Sequence, residues 1–568
     1  MTHLTLSSPP MSQLGRLPTI AALLALAAGP LEAQQPAADL VVVNGRIYTA
    51  DGARPIVDAM AIRGGRIVFV GDVAGARALV GPRTETLDLA GRTVIPGMTD
   101  AHAHVAGIGQ ALRTVNLVGT TSYDAVIARV VERARTTPRG EWITGRGWDQ
   151  NDWGATAFPT HEALTRAVPD HPVYLTRVDG HAALANARAM QGAGLTRATA
   201  DPSGGSIERD VSGEPTGVLI DNAMRLVGRS VPAPTRAQVK ESIRAAIAEM
   251  HRWGLTGVHD AGSSALVLEL YEELGRENAL NIRLYAMISD HAPTIDAWFR
   301  RGPQSGLHDG MLWVRSVKLY QDGALGSRGA ALLEPYSDDA RTSGLLVSQP
   351  AHIEEIARRA LAAGFQVNTH AIGDRGNRLV LDSYEAALRA RPTADHRFRV
   401  EHAQIIHYDD IPRFAALGVI PSMQASHQTS DMYWAGARLG ETRLRGAYAW
   451  RSLLASNVII PNGSDAPVES VNPLISFSAS VSRQDRHGWP AGGWFPEQRM
   501  TRDEALRSMT LWPAYAAFQE QELGSLTIGK RADFVVLDQD ILRVPAEVLL
   551  DTQVLSTWVG GRRVHERK

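Results

Sequence analysis

Residues Ala38 to Leu89 alternate apolar and polar positions in short strand-like runs, among them Asp39-Leu40-Val41-Val42-Val43 and Arg66-Ile67-Val68-Phe69-Val70. Asn44-Gly45 and Gly64-Gly65 supply the positive-φ positions that tight hairpins need. The C-terminal segment has the same texture, in Ala532-Asp533-Phe534-Val535-Val536-Leu537 and Thr557 to Val564. Both ends therefore predict pieces of one small, β-sandwich-like domain, residues 38–90 with 524–568.

Between them the period changes. Thr235-Arg236-Ala237-Gln238 forms a capping-box start, and Val239, Ile243, Ile247 and Met250 follow at helical spacing. Gly254 stops that helix before the strand-like Leu255-Thr256-Gly257-Val258. The same helix–Gly–strand unit recurs around Gly364 and Gly418, which predicts a parallel βα architecture. Strand runs centred on Val94, Val258, Leu284, Val317, Val367, Val400, Ile420 and Ile459 predict a TIM-like (β/α)8 barrel over 91–523. The first two runs lie about 150 residues apart, far more than one crossover needs. That gap predicts a large insert after strand 1, about 110–234, on the rim where pockets are shaped.

A chain of 568 residues can bury a large core and hold more than one domain. The formal net charge of −2 gives no reason to expect nucleic acid as a partner. The absence of cysteine excludes disulfides, thiolate zinc sites and cysteine nucleophiles. Arg16, the apolar run Ile20 to Ala28 and the small-residue site near Ala33-Gln34 predict a signal peptide over 1–33, with either Met1 or Met11 as its start. That run is too short to span a bilayer, so the expected mature protein is periplasmic or secreted, without a membrane anchor. The sequence leaves a homo-oligomer open.

Candidate chemistry gathers at the C-terminal ends of the strand runs, where barrel enzymes place their active sites. Pro96-Gly97-Met98-Thr99-Asp100-Ala101-His102-Ala103-His104 puts two imidazoles on one face of a strand. Later runs end at Lys318, His370, His402 and Asp465. Nitrogen and carboxylate donors of this kind suit zinc and neighbouring divalent metals. Lys318 is the odd member, because an ammonium cannot ligate a cation and two dications would repel it. An unmodified Lys318 would instead pair with Asp322.

The order His-x-His, Lys, His, His, Asp resembles the amidohydrolase superfamily. Val317-Lys318-Leu319-Tyr320-Gln321-Asp322-Gly323-Ala324-Leu325-Gly326-Ser327, His370-Ala371-Ile372-Gly373-Asp374 and Gly463-Ser464-Asp465-Ala466-Pro467 are similar to its YtcJ-like, or amidohydrolase 3, branch, which includes N-substituted formamide deformylases. The likeness runs from about Asp39 to Val564. It implies two divalent metals, zinc being expected, with His102, His104 and Asp465 on one ion and His370 and His402 on the other. Lys318, carbamylated by CO2, and a hydroxide would bridge them, and Asp465 would be the catalytic proton shuttle. The implied reaction is hydrolysis of a C–N bond in an amide, formamide or N-acyl small molecule.

Trp148, His181, Tyr320 and His427 are weaker candidates for substrate contact, with Trp153, Tyr433 and Trp434 as further rim aromatics that suit an apolar or aromatic group. His259 is expected to support the site rather than enter it. Ester or lactone hydrolysis would use the same machinery. A deaminase on this scaffold is disfavoured by Lys318 and by the lack of His-x-x-Glu after His370. The non-enzyme alternative is a metal-bound sensor or regulatory protein, for which a proton shuttle would have no use.

Overall fold

The computed structural model describes residues 36–154 and 157–568. The expected leader, residues 1–33, lies outside them. No helix among the described residues is long and apolar enough to cross a membrane.

Seven parallel strands form the central sheet: β1 (Met98–Ala103), β2 (Leu255–Ser263), β3 (Arg283–Ser289), β4 (Leu312–Tyr320), β5 (Gln366–Ala371), β6 (Arg399–His402) and β7 (Ile420–Ser422). Each pairs in parallel with the next in chain order, the signature of a barrel built by βα repeats. The eighth position differs from the expected strand at Ile459. Val458 to Ile460 are irregular, and Pro461 has no N–H with which to continue a ladder. Residues 461–465 close the ring instead by separate bonds: Met423 N–H to the Pro461 carbonyl (3.0 Å), Ala101 N–H to Asn462 (3.2 Å) and Asp465 N–H to His102 (2.7 Å). Gly463 is required there, since a Cβ would come within 2.5 Å of the His102 nitrogen.

The run at Val94 also departs from expectation. Thr93–Pro96 leaves the barrel and pairs with Arg46–Tyr48 and Phe534–Leu537 in the small β-domain. Gly97 separates it from β1 and packs so tightly that a Cβ would overlap Thr256. Because one unbroken apolar stretch feeds two sheets, hydrophobic pattern alone cannot place the break. The small domain holds a four-stranded sheet from the N-terminal segment and a six-stranded sheet from both termini. Leu40, Val42 and Ile62 of the first meet Val94, Phe534 and Trp558 of the second. Gly64-Gly65 turns a hairpin between Ala59–Arg63 and Arg66–Gly71, whereas Asn44-Gly45 carries the chain from one sheet to the other.

After β1 the chain builds a six-stranded sheet that includes Val115–Asn116, Ile143–Trp148, Val173–Arg177 and Pro215–Asp221, with its own core of Val126, Leu164, Leu175 and Val218. It rejoins the barrel through the helix Arg236–Arg252, whose Thr235/Gln238 capping box forms as the sequence predicts.

A buried ion pair ties the barrel to the β-domain. Arg283 on β3 donates from Nε and Nη2 to both oxygens of Asp533 at 2.8 and 2.9 Å, and Arg283 is 2% exposed. Removing one partner strands a buried charge, which costs about 3–5 kcal/mol. Asp533→Ala is expected to lower the unfolding free energy, read from denaturant titration, by an amount in that range. An Arg283→Met/Asp533→Leu double variant should lose less than Asp533→Ala, because no charge is left unpaired.

Candidate metal centre and active site

Every strand-end candidate but one converges at the C-terminal mouth of the barrel. His102, at the end of β1, is fully buried, and His104 two residues on begins the helix Val105–Ala111. The His104 Nε2 lies 3.0 Å from Asp465 Oδ1, and the His102 Nε2 lies 3.5 Å from the same oxygen. Lys318 Nζ, 1% exposed on β4, stands 3.3 Å from His102 Nε2. The His402 ring is 4.8 Å from that of His102 and 4.5 Å from that of His370. His427 adds its Nε2 3.7 Å from Asp465 Oδ2.

Two triads thus share Asp465: His102, His104 and Asp465, and His402, His427 and Asp465, with donor atoms within 4.8 Å of one another in each. His370 stands beside the second triad, with its Nε2 3.4 Å from the Gly323 carbonyl. Lys318 has no ion pair with Asp322, whose carboxylate is taken up by the N–H groups of Ala331, Ile372 and Gly373. His181, from the insert, points its ring at His370 (5.1 Å) and is held by Asp221 at 2.6 Å. Tyr320 flanks His370 at 5.9 Å. A cavity of about 480 Å³ opens over His370, His402, His427 and Asp465.

Trp148 is the exception, and the expectation of a substrate contact there is corrected. It is fully buried in the core of the insert, and its indole N–H donates to the Leu175 carbonyl at 2.8 Å. A β-bulge at Gly147 (φ +104°) explains this. It breaks the alternation that would put Arg146 and Trp148 on one face, turning the indole inward and the guanidinium toward the site.

The chain matches the amidohydrolase family over residues 85–565. It belongs to that family. It is 32% identical to the putative amidohydrolase YtcJ of Bacillus subtilis over 92% of this chain and 99% of that protein. It is 30% identical to an N-substituted formamide deformylase of Arthrobacter pascens over 93% and 98%. Protein LONG AFTER FAR-RED 3 of Arabidopsis thaliana is 35% identical over 93% and 92%. An uncharacterized metal-dependent hydrolase from Pyrococcus furiosus superposes with a TM-score of 0.70 at 30% identity, covering 89% of this chain and all of that one.

The electrostatics of this amidohydrolase fit a metal at the cluster. Burial lowers His102 to about 4 and holds His370 and His402 well below the usual histidine range, so their nitrogens keep free lone pairs. Burial opposes the Asp465 carboxylate, but the His104 hydrogen bond, with the electrostatic influence of the neighbouring imidazoles, outweighs it and holds Asp465 well below the usual carboxylate range. The buried His427 Nε2 has no hydrogen-bond partner. Buried, neutral, convergent nitrogens around one carboxylate form a donor set suited to zinc.

Several supporting residues escape a reading by sequence. Glu401 accepts from His102 Nδ1 and pairs with the buried Arg399, which also binds the Ala101 carbonyl and Ser422. His259 contacts Arg399 at 3.0 Å, in keeping with the supporting place expected of it. Gln424 fixes His402 Nδ1 at 2.7 Å, and Gln404 meets His427 Nδ1 at 2.8 Å. Strand period 2 would send Glu401 and His402 to opposite faces. The left-handed backbone at His402 (φ +75°) breaks that period and lets both reach the interior. The charged residues Arg399 and Glu401 alternating with Phe398 and Val400 were the available signal. Partners of this kind orient metal-binding imidazoles, and their loss typically costs 10–100-fold in affinity. Glu401→Gln is therefore expected to weaken zinc binding by about 10–100-fold in a competitive chelator titration, with the fold retained by circular dichroism.

Proposed function

We propose that this metal-dependent hydrolase cleaves the C–N bond of an amide, formamide or N-acyl small molecule. The observation that carries the reading is Asp465, a single buried carboxylate shared by two histidine triads at the floor of the cavity. His102, His104 and Asp465 would hold one divalent ion, zinc being the expected metal. His370 and His402, with His427 alongside, would hold a second, and Lys318 as a carbamate would bridge the two. When bound, the ions supply a water acidified from 15.7 toward ~7 and a polarised substrate carbonyl.

The chain's own groups supply the rest. Burial lowers Lys318 to about 8, which raises the share of free amine, the form that attacks CO2 to give a carbamate and a proton. Asp465 accepts the proton of the attacking water and returns it to the leaving nitrogen, so water and amide become acid and amine. His181, fixed by Asp221, offers an N–H to the oxygen on which charge develops. The formamide deformylase relative supports C–N cleavage as the bond class.

We further propose, from the leader-like N-terminal sequence, that the protein is periplasmic or secreted. Intact-mass analysis after expression in an exporting host should show a mature N-terminus near Gln34. Retention of Met1 or Met11 would refute export.

The reaction is tested by a screen of formamides, aryl amides and N-acyl amino acids with zinc-loaded protein. At least one class should be hydrolysed, and chelation should abolish the turnover. Asp465→Asn is nearly isosteric and keeps an oxygen toward the cluster, but it has no proton affinity. It should retain most of the metal while kcat falls by about 10²–10⁴-fold. A near wild-type rate with metal bound would refute the proton-shuttle role.

A further inference from the structure

The motif Gly145-Arg146-Gly147-Trp148-Asp149-Gln150 contains a residue that the hydrolytic scheme leaves unused. Most of the deeply buried arginines face carboxylates: Arg177 meets Asp149 and Asp179, Arg283 meets Asp533, Arg399 meets Glu401 and Arg438 meets Asp338. Arg483 lacks a carboxylate but is stacked on Trp450 and bonded to the Tyr448 carbonyl. Arg146, half-buried at the cavity wall, is a different case. Its guanidinium donates only to two backbone carbonyls, those of Pro467 and Val178, and no carboxylate lies within ion-pair distance among the described residues.

Its position is equally specific. Arg146 lines the cavity over His370, His402 and Asp465, and also a second cavity of about 520 Å³ that reaches His104, His181 and Tyr320 from the other side. The Pro467 carbonyl it grips lies two residues after Asp465, which fixes the guanidinium beside the proton shuttle. Of the nearby acids, Asp179 is engaged by Arg177 and Asp465 by His104, while Glu469 lines the same cavity without coming within ion-pair distance of Arg146. A half-buried guanidinium that faces a cavity without a paired anion is open to one supplied by a ligand. Its remaining N–H groups form a planar fork suited to two carboxylate oxygens.

We infer that Arg146 recognises a carboxylate next to the scissile bond. The inference rests on the C–N hydrolase reading for the reaction, but the binding itself does not require turnover. The carboxylate has two sources: one carried by the substrate, as in an N-acyl amino acid, or the acid that hydrolysis releases.

The first arm measures benzoate binding to metal-free protein by calorimetry, with Arg146→Gln and Arg146→Lys beside wild type. A charge-assisted bidentate contact predicts a loss of about 10–100-fold in affinity for Arg146→Gln and a smaller loss for Arg146→Lys. Circular dichroism checks that each variant is folded, and Arg146→Lys carries the test if Arg146→Gln does not fold. Equal benzoate affinity in wild type and folded variants, or no benzoate binding to wild type, overturns the inference. The second arm compares N-acetylphenylalanine with N-acetylphenethylamine, which lacks only the carboxylate. A drop in kcat/KM at least tenfold larger for the acid assigns the carboxylate to the substrate. Similar drops for both, with product inhibition by acetate weakened about tenfold or more, assign it to the product. Similar drops with unchanged acetate inhibition overturn it. If wild type hydrolyses neither compound nor any other amide, the C–N reading fails, and the benzoate arm still decides the role of Arg146.

Discussion

The hydrogen bond from the Asp465 N–H to the His102 carbonyl joins the last segment of the barrel to the first. Closing the ring and bringing Asp465 to the His-x-His pair are therefore one event. The eighth segment is no regular strand, so its position rests on a few bonds to β1 and Met423 and on the close approach allowed by Gly463. Asp465 sits there at φ +57°, a conformation an ordinary side chain adopts only when its surroundings over-determine it. The same holds for His402 at φ +75°. Strained backbone at two residues of the cluster is bearable because the surrounding barrel is rigid.

Beneath the cluster, charge is managed by pairing rather than avoided. Arg399 and Glu401 are fully buried and neutralise each other while one orients His102 and the other binds β1. Burial pushes Glu401 upward, but Arg399 and His102 outweigh it and bring it to about 2, so the pair stays charged. A rigid ionic floor suits a site that must hold several imidazoles neutral and aimed at one point.

The insert contributes differently. It has its own sheet and core, so it shapes the pocket without disturbing the barrel. One bulge at Gly147 sends Trp148 into that core and Arg146 toward the cavity. His181 reaches the site from the next strand-end of the same sheet and is held by Asp221. The clustered histidines and Asp465 come from the barrel, and part of the cavity wall, including Arg146, Asp149, Asp179 and His181, comes from the insert. This division lets one chemistry serve different substrates.

The βα repeats, the strand-end candidates and the two-ended β-domain were legible in the sequence because each depends on local periodicity and on residues that chemistry makes conspicuous. The split of the Thr93 to Ala103 run between two sheets was not legible, since an apolar run has the same pattern whichever sheet it joins. Trp148, His427 and Glu401 illustrate the same limit at the site. A bulge, a helix after β7 and a left-handed residue decide where those side chains point, and each depends on contacts with distant segments. Sequence alone specified which groups were available and which strand ends carried them. Which groups share Asp465, and which arginine faces the cavity without a carboxylate, was decided only by the closed barrel and the docked insert, because both are questions of distance between residues far apart in the chain.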